Sequence, residues 1–261
     1  MSVSARAAII LPARYHSTRF PGKPLAVIAG KPLIQWVYER ACEIHGVRVV
    51  VATDHDNIAE AARSFGAEVA MTSSDHATGT DRVAAVARDL EEDVIVNIQG
   101  DEPLFPHGLV EEMIALAAPP DNSPAFPTPD DSLASPIPDI VTAYHRIKDD
   151  TDIHNRNVVK VVMDRRGNAI YFSRSPIPSA RDKNIHHYRH VGIYVFRRDS
   201  LVRFSEFERT PLEKAESLEQ LRALENGMTI KLVETSYSTL GVDTPEDIKS
   251  VEKALASAYS L

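Results

Sequence analysis

What most constrains this chain is an alternation through its first hundred residues, in which short apolar runs give way repeatedly to patterns of helical period. Residues 7–11, 47–52, 68–71 and 94–99 read as strands, and residues 32–42, 57–65 and 80–90 carry helical spacing. Strands that are apolar on both faces need helices to cover them, and alternation of the two patterns is how a chain builds parallel βαβ units. The expected class is α/β, Rossmann-like, with a mostly parallel central sheet.

The second half departs from that rhythm. Residues 119–138 are dense in proline, serine and aspartate, which removes backbone donors and predicts a surface loop. Strands are expected over 139–147, 158–163 and 169–173, the last two joined by the turn Arg165-Arg166-Gly167-Asn168 and together forming a smaller, β-rich lobe. A further strand follows at 188–196, then a helix over 212–226 stopped by Gly227, and a strand at 229–233. A last helix opens at Asp243-Thr244-Pro245-Glu246-Asp247, with Thr244 suited to the cap and Pro245 to the first turn.

A net charge of −8 argues against a nucleic-acid partner, because neutralising a phosphate backbone takes a broad basic surface. No stretch approaches the roughly 20 apolar residues of a membrane span, and the run at 7–11 is too short for a signal sequence. These features predict a cytoplasmic protein without a membrane partner. The single cysteine, Cys42, excludes an intrachain disulfide and a cysteine-cluster zinc site, and its apolar surroundings predict a core position.

Candidate chemistry gathers where strands end. The loop Pro12-Ala13-Arg14-Tyr15-His16-Ser17-Thr18-Arg19-Phe20-Pro21-Gly22-Lys23 follows the first strand, at the sheet edge where open α/β folds bind ligands. Its cations Arg14, Arg19 and Lys23 can neutralise a triphosphate or form a solvated basic loop. Neither G-x-G-x-x-G nor a P-loop lysine frame is present, which weakens dehydrogenase and P-loop readings. The run Met71-Thr72-Ser73-Ser74-Asp75-His76-Ala77-Thr78-Gly79-Thr80-Asp81-Arg82 offers hydroxyls and backbone for reading a base or ribose, and it reads equally as a capped helix start. After the strand at 94–99, Asp101 is placed to ligate magnesium, which takes one or two carboxylates beside phosphate and water; a plain turn aspartate is the alternative. Asp243, at a second strand–helix junction, is either the other ligand or a helix cap. Arg174 offers a cation for an acidic ligand, whereas His190 and its neighbours read in isolation as ordinary surface or core histidines.

These segments together resemble one family. The motifs P-A-R-x-x-S-T-R-x-P-G-K-P-L, M-T-x-x-x-H-x-S-G-T-[DE]-R with Thr78 at the serine, V-N-x-Q-G-D-E-P, Y-F-S-R-x-x-I-P, H-x-G-I-Y, P-L-E-x-x-E-x-L-E-Q-L-R and G-V-D-T-P-E-D occur in the order found in 3-deoxy-manno-octulosonate (Kdo) cytidylyltransferases, from Pro12 to Asp247. Thr78 stands where the family usually has serine, Ser179 where it often has tryptophan, and the 119–138 segment is longer than the usual connection.

The resemblance implies a nucleotide-diphospho-sugar transferase fold in one domain, with residues 1–118 binding CTP, 139–211 forming the sugar and dimer lobe, and 212–261 returning to the main body. It implies transfer of CMP from CTP to the anomeric hydroxyl of Kdo, with release of pyrophosphate, for lipopolysaccharide synthesis. Arg14, Lys23, Asp101 and Asp243 would be catalytic, and the two aspartates would hold Mg2+. CTP would be bound by Pro12, Ala13, Arg14, Ser17, Thr18, Arg19, Lys23, Thr72, Ser73, His76, Thr78, Gly79 and Arg82. The sugar would be bound by Gln99, Arg174, His190, Tyr194, Glu216 and Gln220, and the chain would form a homodimer. Rival readings are a cytidylyltransferase for 8-amino-Kdo or a sialic-acid-like sugar, and a non-catalytic nucleotide-binding relative.

Overall fold

A computed structural model describes residues 6–16, 20–119, 137–179, 181, 185–238, 240–242 and 244–259. The first half contains β1 (Ala7–Ala13), the short hairpin β2 (Val27–Ile28) and β3 (Lys31–Pro32), then α1 (Leu33–Cys42), β4 (Val47–Thr53), α2 (Asp56–Ser64), β5 (Glu68–Met71), α3 (Gly79–Ala87), β6 (Val94–Asn97) and α4 (His107–Ala117). The second half contains β7 (Ile140–Arg146), α5 (Asp150–His154), β8 (Lys160–Met163), β9 (Ala169–Ser173), β10 (Tyr188–Arg197), α6 (Arg198–Glu206), α7 (Pro211–Glu216), α8 (Gln220–Glu225), β11 (Ile230–Glu234) and α9 (Asp247–Tyr259). Residues 120–136, most of the expected proline-rich loop, lie outside the described residues.

Nine of these strands form one sheet, whose main path runs β11-β7-β10-β6-β1-β4-β5 with β8 and β9 branching from β10. Along that main path the pairings are parallel except the two made by β10, which runs against β6 and β7, and the β8 and β9 branch is antiparallel. Strand β1 is flanked by β4 and β6, so the chain leaves it in one direction and later returns on its other side. That reversal is the switch point at which open α/β sheets leave a crevice beyond their carboxyl ends.

Alternation along the central strands divides the core between two faces. Ile9, Leu11, Val49, Val51, Val94 and Val96 pack under α1, α2 and α4, while Ile10, Val50, Ala52 and Ile95 pack under α3, α6 and α8. Each of these valine, leucine and isoleucine side chains stabilises the sheet by roughly 1.5–3 kcal/mol through burial. A third cluster joins Leu33 and Trp36 of α1 to Val251 and Leu255, which seats α9 beside the segment at 240–242.

Three expectations change here. Cys42 is exposed, because Ile34, Val37 and Ala41 take the core side of α1 and the next residue turns away from it. The helix expected over 212–226 is two short helices, broken at Ser217, whose φ is 53°. Arg174 supplies the cause: its Nε donates to the carbonyl of Glu216 at 2.8 Å and its Nη2 to that of Ser217 at 3.4 Å, removing both carbonyls from the helical ladder. Last, α9 begins at Asp247, and the turn before it is closed by the Asp247 carboxylate, which accepts from Thr244 N at 2.8 Å and from the Thr244 hydroxyl.

Candidate active site

The carboxyl ends of β1 and β6 bring the first group of expected residues together. Lys23 Nζ lies 2.5 Å from Asp101 Oδ2, with the two side chains 17% and 26% exposed, so a cation from the first loop already faces the expected metal carboxylate. Val242 N donates to the carbonyl of Asp101 at 3.1 Å, which docks the segment preceding position 243 onto the same loop. Asp243 itself, like Ser17, Thr18 and Arg19, lies outside the described residues. Arg14 is exposed and reaches the carbonyl of Ala77 at 3.3 Å, joining the basic loop to the start of α3.

Close backbone approach holds this crevice. A Cβ on Gly100 would sit 3.1 Å from the Pro12 carbonyl oxygen and 3.2 Å from Ile34 Cδ1, so a side chain there would push β1 and β6 apart. A Cβ on Gly79 would lie 3.1 Å from Gln99 Oε1 and 3.4 Å from Pro12 Cγ, which puts Pro12, Gly79 and Gln99 side by side. Gln99, expected on the sugar side, therefore borders the nucleotide-side loop.

The hydroxyls expected to read CTP mostly have partners within the protein. Thr78 caps α3, accepting from Asp81 N at 3.1 Å while the Asp81 carboxylate accepts from Thr78 N at 3.0 Å. Thr72 donates to the carbonyl of Thr53 and accepts from Arg82, whose other arm pairs with Asp54 at 2.8 Å. The Arg82 side chain is wholly buried. Thr72, Thr78 and Arg82 thus brace the crevice wall, with Arg82 Nε left without a partner among the described residues. Ser73 accepts from Asp75 N at 3.0 Å. His76 lines a cavity of about 700 Å³ with Asp81, Arg88, Ser205 and Arg222, on the side of α3 that meets α6.

The sugar-side residues form a second group. Glu216 accepts from Ser173 Oγ at 2.6 Å and from Arg174 N at 2.8 Å, while Arg174 Nη1 donates to the carbonyl of Arg156 at 3.0 Å. Arg174 is therefore a clip between two backbone segments, with donors still left over. Lys160, absent from the expected set, is fully buried and donates to the carbonyls of Asn155, Val158 and Arg174 at 2.6–2.9 Å. Burial lowers its pKa. A lone lysine in the apolar run 158–162 was the available signal.

His190 and Tyr194 are mostly buried, at 9% and 8% exposure. A register shift between Val191 and Tyr194 leaves the carbonyls of Val191 and Ile193 off the ladder, and the Thr142 hydroxyl donates to both. His190 Nε2, 2.9 Å from that hydroxyl, must then be the donor of the pair. Burial drives the His190 pKa down to about 3, so the ring is neutral, and raises the Tyr194 phenol well above its ordinary value. Gln220 is also buried, at 4% exposure.

Between the groups stands Glu219, which the sequence reading passed over although it lies inside the E-x-L-E-Q-L-R run. Its carboxylate accepts from the Thr80 hydroxyl, and Asn97 Nδ2 donates to the same hydroxyl oxygen at 3.0 Å. Burial raises its pKa, opposed by the Thr80 hydroxyl and the Arg222 charge.

A family model described as cytidylyltransferase matches residues 8–230. A 3-deoxy-manno-octulosonate cytidylyltransferase of Geobacter metallireducens is 49% identical, the match covering 95% of this chain and 96% of the relative. One from Syntrophotalea carbinolica is 47% identical over 98% and 99% of the two chains. The chain belongs to the 3-deoxy-manno-octulosonate cytidylyltransferase family. A solved CMP:2-keto-3-deoxy-manno-octonic acid synthetase complexed with CTP is similar in structure, with a TM-score of 0.86 and 40% identity across 97% of this chain and 100% of that one. The Kdo cytidylyltransferase fold extends to a 4-diphosphocytidyl-2C-methyl-D-erythritol synthase from Anaerococcus prevotii at a TM-score of 0.59 and 13% identity, covering 96% and 98% of the chains, a likeness of fold alone.

Proposed function

We propose that this chain transfers CMP from CTP to the anomeric hydroxyl of Kdo, giving CMP-Kdo and pyrophosphate for lipopolysaccharide synthesis. The observation that carries the reading is the Lys23–Asp101 pair at the switch point of the sheet, onto which the segment before Asp243 is bound. In the reaction the anomeric oxygen attacks the α-phosphorus in line, the bond to the β-phosphate oxygen breaks, and the hydroxyl proton leaves to solvent. No protein nucleophile takes part.

The residues present suit magnesium. Asp101 offers an acid oxygen already turned toward a positive charge, and a second carboxylate at Asp243 would complete the pair that magnesium takes beside phosphate and water. Bound there, the ion would supply charge neutralisation and a more acidic sugar hydroxyl. Arg14 and Lys23 hold the triphosphate and offset the charge that grows on the departing pyrophosphate. Gln99 borders the sugar, Arg174 and Glu216 fix the arm that carries Gln220, and His190 and Tyr194 back it. A homodimer built on the β8–β9 branch, where Ile170 is 60% exposed, belongs to the same proposal, as does a cytoplasmic location; among the described residues no helix is long and apolar enough to cross a membrane.

The test is pyrophosphate release with Mg2+ and CTP, comparing Kdo, 8-amino-Kdo and N-acetylneuraminate, with ATP, GTP and UTP as controls. Release with CTP and Kdo alone is expected; release only with another sugar moves the substrate, and silence throughout refutes an enzymatic role. Asp101→Asn should remain folded and lose at least about 100-fold in turnover, the scale of removing a group that stabilises transition-state charge.

A further inference from the structure

We infer that Glu219 is a positioning residue that fixes which way round the Gln99 amide faces the sugar, acting through Thr80 and Asn97. This rests on the reading of Gln99 as a sugar contact.

The relay follows from donor and acceptor counting. A carboxylate only accepts, so the single proton of the Thr80 hydroxyl goes to Glu219. The Thr80 oxygen can then only accept, and Asn97 Nδ2 donates to it at 3.0 Å. With its amide nitrogen committed there, Asn97 turns Oδ1 the other way, where Gln99 Nε2 donates to it at 3.1 Å. Gln99 is left with Oε1 free, and among the described residues no donor reaches that atom. Oε1 lies over Gly79, at the border with the nucleotide-side loop. Thr80 is 1% exposed and Asn97 wholly buried, so water cannot easily reverse the chain at its centre.

An amide presenting its carbonyl oxygen accepts from a hydroxyl and repels a carboxylate. The device therefore selects how an acidic polyhydroxy sugar lies, with a hydroxyl and not its acid group against Gln99. It also ties the kinked segment at 217–219 to the first turn of α3, so that the sugar-side arm reads its register from the nucleotide-side helix.

Steady-state kinetics of the full chain, varying Kdo and CTP separately, test this. Thr80→Val and Glu219→Met should each raise the KM for Kdo about tenfold, the scale of one lost hydrogen bond to a polar ligand, with the KM for CTP and kcat within about twofold. Thr80→Ser, which keeps the hydroxyl, should restore the wild-type KM. The double variant Thr80→Val/Glu219→Met should lose no more than either single one, because both cut the same relay. Additive losses would mean that Glu219 acts on the sugar by itself and would overturn the relay, as would equal losses in the KM for CTP, the mark of a collapsed helix start. Gln99→Ala separates the two readings: an unchanged KM for Kdo removes Gln99 from the sugar site, while a raised KM with an inert Thr80→Val keeps Gln99 and rejects the relay.

Discussion

His190 makes the stability of this fold depend on pH in a way that can be calculated in advance. The folded ring, buried against Thr142 and Phe172, stays neutral down to about pH 3, whereas in the unfolded chain it takes a proton near its ordinary value of 6.5. The folded value is the lower one, so the stabilisation is full above about pH 6.5 and is lost as pH falls toward 3, the range in which only the unfolded state binds the proton. Between pH 7.0 and 4.5 the difference in proton binding amounts to about 2.5 kcal/mol, from roughly 1.4 kcal/mol for each unit of pH below 6.5. Urea unfolding followed by circular dichroism, on wild type and His190→Gln at one protein concentration, isolates this contribution, because the carboxylates titrate alike in both. The wild type should lose about 2.5 kcal/mol more than the variant over that interval. Parallel losses would show that the folded protein accepts the proton, and the burial argument would fail.

Other substitutions probe the framework. Lys160→Met removes the ammonium and strands the buried Val158 carbonyl and the half-buried carbonyls of Asn155 and Arg174; a loss of about 2–3 kcal/mol is expected, seen as a Tm lower by roughly 5–10 °C in scanning calorimetry. Gly100→Ala forces a methyl against the Pro12 carbonyl, which cannot yield without moving β1; it should cost about 1–3 kcal/mol in chemical denaturation and raise the KM for CTP. Cys42→Ser changes an exposed position and should leave stability within about 0.5 kcal/mol, while the native wild-type thiol should react with Ellman's reagent without denaturant.

Much of the fold is legible along the chain because its causes are local. Runs such as Ile9–Leu11 and Val49–Val51 alternate their side chains between the two faces whatever lies beyond, and the turn at 164–168 is set by Asp164 accepting from the backbone of Arg166 and Asn168. The motifs fall at strand ends because loops after parallel strands converge on one sheet edge, and so Lys23 and Asp101, 78 positions apart, meet there. Cys42 misled because its neighbours are apolar on two sides of α1, and only the packing of that helix decides which side faces solvent.

By itself, then, the sequence determined the α/β class, the order of most elements, the family and the edge of the sheet at which its motifs gather, since periodicity and turn chemistry act over a few residues. Tertiary structure alone decided which polar groups are spent on one another: Arg82 on Asp54, Arg174 on the carbonyls that break α7 from α8, and Glu219 on Thr80 across 139 positions of chain. A buried polar atom takes its partner from whatever strand register and helix packing bring within about 3 Å, and nothing in a local pattern encodes that distance.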